Sequence, residues 1–266
     1  VPLPCDPPSP SHDPGVHRSP PPAGTLFTRA LPSSHVTSDT YDAVVFDNDG
    51  VLTTLVDRSV LRGAAEEAFA AFDVDASPAD VDRMTVGVSP EDLAAVCDRY
   101  DLSPAEFWRT RDELSSRAQI DAVHRGEKRL YDDVAAVEAI DLPRGVVSSN
   151  QQATLDFLFE HFSVDSWFRT VLGREPVPES IELKKPATHY VERALDDLAV
   201  DADRTLFVGD TWVDVVAGDR AGCDTAFVRR PHRRDHTVET PPTYEVETLD
   251  ELLALDRVPT RSEAAR

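Results

Sequence analysis

Residues 44–52 read VVFDNDGVL. An apolar run with two β-branched residues stops at two carboxylates two positions apart, and a glycine follows. Such a run is typical of a strand buried on both faces of a parallel sheet, and the carboxyl ends of strands are where open α/β sheets bind ligands. Taken alone, Asp47 and Asp49 are more commonly an acidic loop start before Gly50. Their reading depends on what else the chain brings to the same edge.

Counting AVVF (43–46), five short apolar runs recur, the others being GVVS (145–148), FRTVL (168–172), TLFVGD (205–210) and DTAFV (224–228). Helical periodicity lies between several of them: Leu155, Leu158, Phe159 and Phe162 share one face, as do Tyr190, Val191, Ala194, Leu195 and Leu198. This alternation predicts an α/β fold, a doubly wound parallel sheet covered by helices on both sides. The interval after the first strand differs. VLRGAAEEAFAAF (60–72) carries an apolar stripe, and PEDLAAVCDRY (90–100) and SPAEFW (103–108) begin with capping Ser, Pro and acid. Some seventy helical residues there exceed a simple crossover and predict an inserted α-helical domain.

The expected organisation is a disordered Pro- and Ser-rich tail over 1–40, an α/β core over 41–57 and 130–253, a helical insert over 58–129 and a flexible tail over 254–266. Residues 231–243 read as a loop. The apolar stripe of 60–72 can pack internally or on a second copy, so monomer and homodimer both stay open.

With 49 acidic residues against 27 Lys and Arg, the formal charge is −22, which argues against binding nucleic-acid phosphates or an anionic membrane surface. Lysine occurs only at 128, 184 and 185. That composition is similar to proteins of salt-loving archaea, though an ordinary acidic protein shares the charge. The three cysteines are scattered without Cys-x-x-Cys spacing, so neither a disulfide framework nor a zinc site is indicated. No apolar run approaches a membrane span and no signal-like start precedes one, so a cytoplasmic protein is expected.

Polar groups converge on the predicted strand ends. Asp47 and Asp49 follow the first strand, Ser148 and Ser149 the second, and Asp210 the strand TLFVG, with KKP (184–186) expected to open the next helix beside them. Asp210 and Asp214, four apart, would share one side of the first helical turn, and Gly209 permits a tight exit from the strand. Alone, this pair is a solvated helix start favoured by the amide dipole. Several carboxylates in one cleft repel each other unless a cation joins them, and Mg²⁺ prefers such oxygen ligands. A carboxylate free of metal can attack phosphorus as a nucleophile.

DNDGVL resembles the first motif of the haloacid dehalogenase-like hydrolase superfamily, VVSSN its second, KKP its third and VGDTWVDVVAGDRAG its fourth, in order from Ala43 to Val228. The resemblance implies that Asp47 is the nucleophile forming an aspartyl-phosphate and that Asp49 is the acid and base. It makes Ser148, with Ser149 beside it, a phosphate contact, and Lys185 the group offsetting charge on nucleophile and phosphate. Mg²⁺ would be held by Asp47, Asp49 through its backbone carbonyl, Asp210 and Asp214. Loop amides after Asp47 would also contact the phosphoryl group. Lys184 is expected to be solvated, and Thr53 and Thr54 to lie in the flap leading to the insert.

The insert is like the family's helical cap, with Arg58, Arg62, Arg83, Arg109, Arg111, His124 and Arg125 as candidate substrate contacts. Asn48 fills a variable slot and Val51 replaces a frequent Thr, and neither removes a catalytic group. Asp49 argues against dehalogenation, whose enzymes lack this acid. The implied activity is Mg²⁺-dependent hydrolysis of a small phosphorylated metabolite, phosphoglycolate being the family-level example. A sugar phosphomutase of the β-phosphoglucomutase kind and a non-catalytic binding protein are the alternatives.

Overall fold

A computed structural model describes residues 40–234 and 239–261. The predicted tail over 1–40 lies outside these residues except for Thr40, as do 262–266. In chain order the elements are β1 (Ala43–Phe46), α1 (Arg58–Ala70), α2 (Pro78–Arg83), α3 (Pro90–Tyr100), α4 (Pro104–His124) and α5 (Ala135–Ala139). There follow β2 (Arg144–Gln151), α6 (Gln152–His161), β3 (Thr170–Arg174), α7 (Ser180–Leu183) and α8 (His189–Leu198). The last are β4 (Thr205–Gly209), α9 (Trp212–Ala221), β5 (Asp224–Val228) and β6 (Tyr244–Val246). Among the described residues no helix is long and apolar enough to cross a membrane.

The strands form one parallel sheet in the order β3-β2-β1-β4-β5-β6. The chain builds outward from β1 to one edge, then returns to β4 on its other side, so the topological switch falls between β1 and β4. Successive residues of β1 serve opposite cores. Val44 and Phe46 join Val146, Leu206, Val208 and the α6 residues Leu155, Leu158 and Phe159. Ala43 and Val45 join Val147, Phe207 and the α8 stripe of Tyr190, Val191, Ala194, Leu195 and Leu198. Burial on both faces explains why these strands read as continuous apolar runs instead of alternating ones.

A third apolar cluster belongs mainly to the helical insert. Ala65, Ala68 and Phe69 of α1 meet Leu93, Val96 and Cys97 of α3 and Phe107 and Trp108 of α4. The stripe of α1 therefore packs inward. Ser77, Ser89 and Ser103 cap α2, α3 and α4, each with Pro in the first turn, and Ser89 forms a reciprocal box with Asp92. Caps of this kind contribute about 1 kcal/mol each.

Two elements extend the sequence expectations and one segment departs from them. The segment starting at Ser103 becomes a helix reaching His124. β6 occupies 244–246, just past the expected loop. The segment from 254, expected to be flexible, is held through Arg261: Val258 is buried, Tyr41 N–H donates to the Arg257 carbonyl at 2.8 Å, and Asp141 N–H donates to that of Pro259 at 2.9 Å. Leu249, Leu252 and Val258 fill the same core as Val44 and Phe46, which anchors this end.

Candidate active site

The carboxyl ends of β1 and β4 bring Asp47 and Asp210 together, and the first turn of α9 adds Asp214. One carboxylate oxygen from each lies within 4.8 Å of the others, and all three residues are buried. Two glycines allow this approach. A Cβ on Gly209 would stand 2.1 Å from Asp214 Cβ, and Gly50 has φ +89° with room for no side chain against the Asp210 carboxylate. Asp214 is fixed as the third residue of α9, accepting from the Thr211 backbone N–H at 2.9 Å and from the Thr211 hydroxyl.

Lys185 bridges the cluster, 2.8 Å from Asp47 Oδ1 and 2.6 Å from Asp214 Oδ1, and it donates to the Val147 carbonyl. It sits in the link between α7 and α8, four residues before α8 begins, so KKP precedes the helix instead of opening it. Burial would depress the Lys185 ammonium, but the Asp214 and Asp47 carboxylates outweigh it and hold it above its usual range. Burial raises the Asp47 carboxyl well above the usual carboxylate range; Lys185 opposes this, while Asp214 and Asp210 add to it.

Three carboxylates face Lys185 and Arg233, whose Nε donates to Asp210 Oδ2 at 3.0 Å. His232 Nε2 lies 2.9 Å from the same oxygen. Asp210 Oδ1 is buried without a hydrogen-bond partner. An orphaned, buried carboxylate oxygen inside an all-oxygen triad fits a hard divalent cation such as Mg²⁺. Asp47, Asp210 and Asp214 are the side chains placed to hold it.

The Asp49 carboxylate stands outside that triad. Lys128 donates to Oδ1, and Asn150 Nδ2 donates to Oδ2 at 2.8 Å. Burial would raise this carboxyl, but the Lys128 charge and the two hydrogen bonds leave it below its ordinary value. The side chain stays 25% exposed to the cleft, so it remains reachable. Asp47 and Asp49 are thus held by separate networks.

A family model described as haloacid dehalogenase-like hydrolase matches residues 44–228, from β1 through β5. The chain belongs to this family. Among curated relatives, a pyrophosphatase PpaX of Anoxybacillus flavithermus is 29% identical over 147 residues, 55% of this chain and 66% of that protein, just under two thirds of its length. A phosphoglycolate phosphatase of Neisseria gonorrhoeae is 26% identical over 193 residues, 68% of this chain and 77% of its own. The crystal structure of CbbY from Rhodobacter sphaeroides with phosphate superposes with TM-score 0.62 at 19% identity, covering 81% of this chain and 98% of that one, which is a likeness of fold.

The cleft of this haloacid dehalogenase-like hydrolase has a volume of about 900 Å³. Asp47, Asp49, Ser148, Ser149 and Lys185 border it from the core, and α1, α4 and the 85–88 turn border it from the insert. Ser148 is buried and its hydroxyl accepts from Asn150 N–H at 3.1 Å. Ser149 offers its carbonyl to Arg174. Of the loop amides, Asn48 N–H donates to Asp47 Oδ1 at 2.6 Å, while those of Gly50 to Thr53 close the turn itself. Thr53 is buried in that turn, and Thr54 pairs with Arg129, so the outgoing and returning links of the insert run side by side.

Of the candidate arginines, Arg58 and Arg111 border the cleft. Arg62 pairs with Glu66 and Asp82, Arg83 with Asp80 and Asp92, and Arg109 is exposed away from the cleft. His124 packs edge-on to Phe157, and Arg125 pairs with Glu127 on the surface. Lys184 departs from its solvated expectation: it is half-buried and donates to the Val88 carbonyl. Sequence reasoning missed Lys128, Asn150, His232 and Arg233. Lys128 carried one usable signal, being one of only three lysines, and Asn150 lies within the quoted VVSSN.

Proposed function

We propose that the protein is a Mg²⁺-dependent phosphomonoester hydrolase acting on a small phosphorylated metabolite through an aspartyl-phosphate at Asp47. The observation that carries this is the division of labour between two carboxylates two residues apart: Asp47 faces Lys185 and the acidic triad, and Asp49 faces Lys128 and Asn150. An Asp47 carboxylate oxygen attacks phosphorus and the bond to the leaving oxygen breaks; that oxygen takes its proton from Asp49, which Lys128 and Asn150 keep ionised in the free site and which the bound phosphomonoester monoanion protonates. Asp49 then takes a proton from water, which attacks phosphorus and releases phosphate and the Asp47 carboxylate. Lys185 and Ser148 offset charge on the phosphoryl oxygens. The divalent ion supplies further positive charge to those oxygens when bound.

Helices α1 to α4 act in this reading as a cap that limits water and selects substrate. The names of the two curated relatives support phosphoryl chemistry of this class. Leu55, Leu61, Val86 and Trp212 give the cleft apolar surface for the organic part of a substrate. Phosphate release from a panel of phosphorylated metabolites, with Mg²⁺ and with EDTA, tests the reading. Release should require metal and fall by at least about 10³-fold in Asp47→Asn. Isomerisation of β-glucose 1-phosphate faster than release would reassign it as a mutase, and a folded, Mg²⁺-binding protein inert across the panel would overturn it.

A further inference from the structure

One wall of the cleft carries more positive charge than its neighbours neutralise. Arg111 of α4 and Arg174 at the end of β3 share a single carboxylate, Asp112, each at 2.9 Å. Both guanidiniums lie over the Trp108 ring, at 5.1 and 5.2 Å. Lys184 joins them from the core side, and its ammonium donates to the Val88 carbonyl without an ion pair among the described residues. Asp112 and Asp92 are the carboxylates that act on it; Asp112 is claimed by the two arginines and Asp92 by Arg83 at 3.2 Å. Three cations therefore face one interior carboxylate, in a protein with 49 acidic residues. Trp108 is 2% exposed, and its indole N–H has no acceptor.

Lys184, Arg111, Arg174 and Trp108 all border the cleft that holds Asp47. A half-buried ammonium without an ion pair and a buried N–H donor without an acceptor, both on the lining of one cleft, each cost stability. An anion bound on that stretch of the cleft would give the ammonium a counterion and the N–H an acceptor. Arg111 is tied to the Met84 and Thr85 carbonyls and Arg174 to the Ser149 carbonyl, so the arginines contribute fixed charge. Lys184 gives one of its three donors to Val88, which leaves the others for a ligand.

We infer that Lys184, with the Trp108 N–H and the fixed charge of Arg111 and Arg174, forms a subsite for a second anionic group, so that the preferred substrates are phosphomonoesters with a carboxylate or a second phosphate at the far end. This deepens the hydrolase reading and rests on it for the reacting phosphate. Calorimetry on the full chain with Mg²⁺ separates the two. The probes are 3-phosphonopropionate and propylphosphonate, which differ in whether the far end is a carboxylate or a methyl group.

The wild type should bind the dicharged probe at least about 10-fold more tightly, a preference that Lys184→Met reduces below about 3-fold and Lys184→Arg restores. Trp108→Phe, which lacks the N–H donor, should lower it by about 3-fold and serves if Lys184→Met fails to unfold cooperatively. Equal binding of the two probes by wild type, or a preference that survives Lys184→Met, overturns the subsite. Propane-1,3-bisphosphonate distinguishes the sources: tighter binding than 3-phosphonopropionate, lost in the same variants, identifies a second phosphate, and weaker binding a carboxylate. A retained probe preference without phosphate release from any monoester would sink the hydrolase reading while supporting the subsite.

Discussion

Lysine is scarce in this chain, and all three copies stand at the cleft or against its carboxylates: Lys128 on Asp49, Lys185 between Asp47 and Asp214, and Lys184 on the cleft lining with Arg111 and Arg174. Arginine takes nearly every other basic position, so the sites that keep lysine are those that need a compact ammonium. Lys184 differs from the other two in having no carboxylate of its own. Burial, reinforced by Arg174 and Arg111, pushes its ammonium down to about 8. The charged form therefore dominates below that pH and fades above it. The preference for a dicharged ligand should be full near neutrality and decline as pH rises through about 8, with the midpoint moved upward when the ligand is bound. Lys184→Arg should abolish the decline, because a guanidinium stays charged throughout that range. Calorimetric titrations of 3-phosphonopropionate across that range check this, and the same decline in Lys184→Arg would assign the titration to another group.

At the scale of elements, α4 explains both how the insert meets the core and why its length was illegible. Between Trp108 and Ala122 its buried face is Arg111, Asp112, Ser115, Ser116 and Gln119, at helical spacing but polar, so the apolar periodicity lapses there while the helix runs on to His124. Partners supplied by β2, β3 and α6 satisfy this face. Arg174 pairs with Asp112, Gln151 Nε2 donates to Asp112 at 3.0 Å, Thr154 hydrogen-bonds Ser116, and Gln119 pairs with Asn150. Removing Asp112 would leave two buried guanidiniums without a counterion. Asp112→Ala should therefore cost about 3–5 kcal/mol. Urea unfolding measures it, and a loss below about 1 kcal/mol would mean that the pair does not hold α4 to the core. By contrast, β1, β4 and β5 were legible almost to the residue, because a strand buried on both faces writes itself as an apolar run. Asp47, Asp210 and Asp214 were legible from strand-end spacing together with the family motifs. Lys128, His232 and Arg233 reach the site through loops whose course no local pattern specifies.

Over the whole molecule, the excess of 49 acidic over 27 basic residues means that long-range repulsion acts on the folded state in every direction. Salt has two opposed effects on such a surface. It weakens exposed ion pairs such as Arg125–Glu127 and Arg129–Asp132, each worth at most about 1 kcal/mol. It also screens the repulsion, with a Debye length that shrinks from about 10 Å at 0.1 M to about 3 Å at 1 M. At a net charge of −22, relief of repulsion should win. The buried contacts of Lys185 with Asp47 and Asp214 are screened far less and should keep the site intact across this range. The melting temperature should rise by roughly 5–10 °C between about 0.1 and 1 M KCl, with most of the change in the lower half of that range, where the Debye length varies fastest. Sucrose at matched osmolality separates screening from solvent exclusion: if it raises the melting temperature as much as KCl, or if KCl leaves it flat, the acidic surface does not limit the stability of this fold.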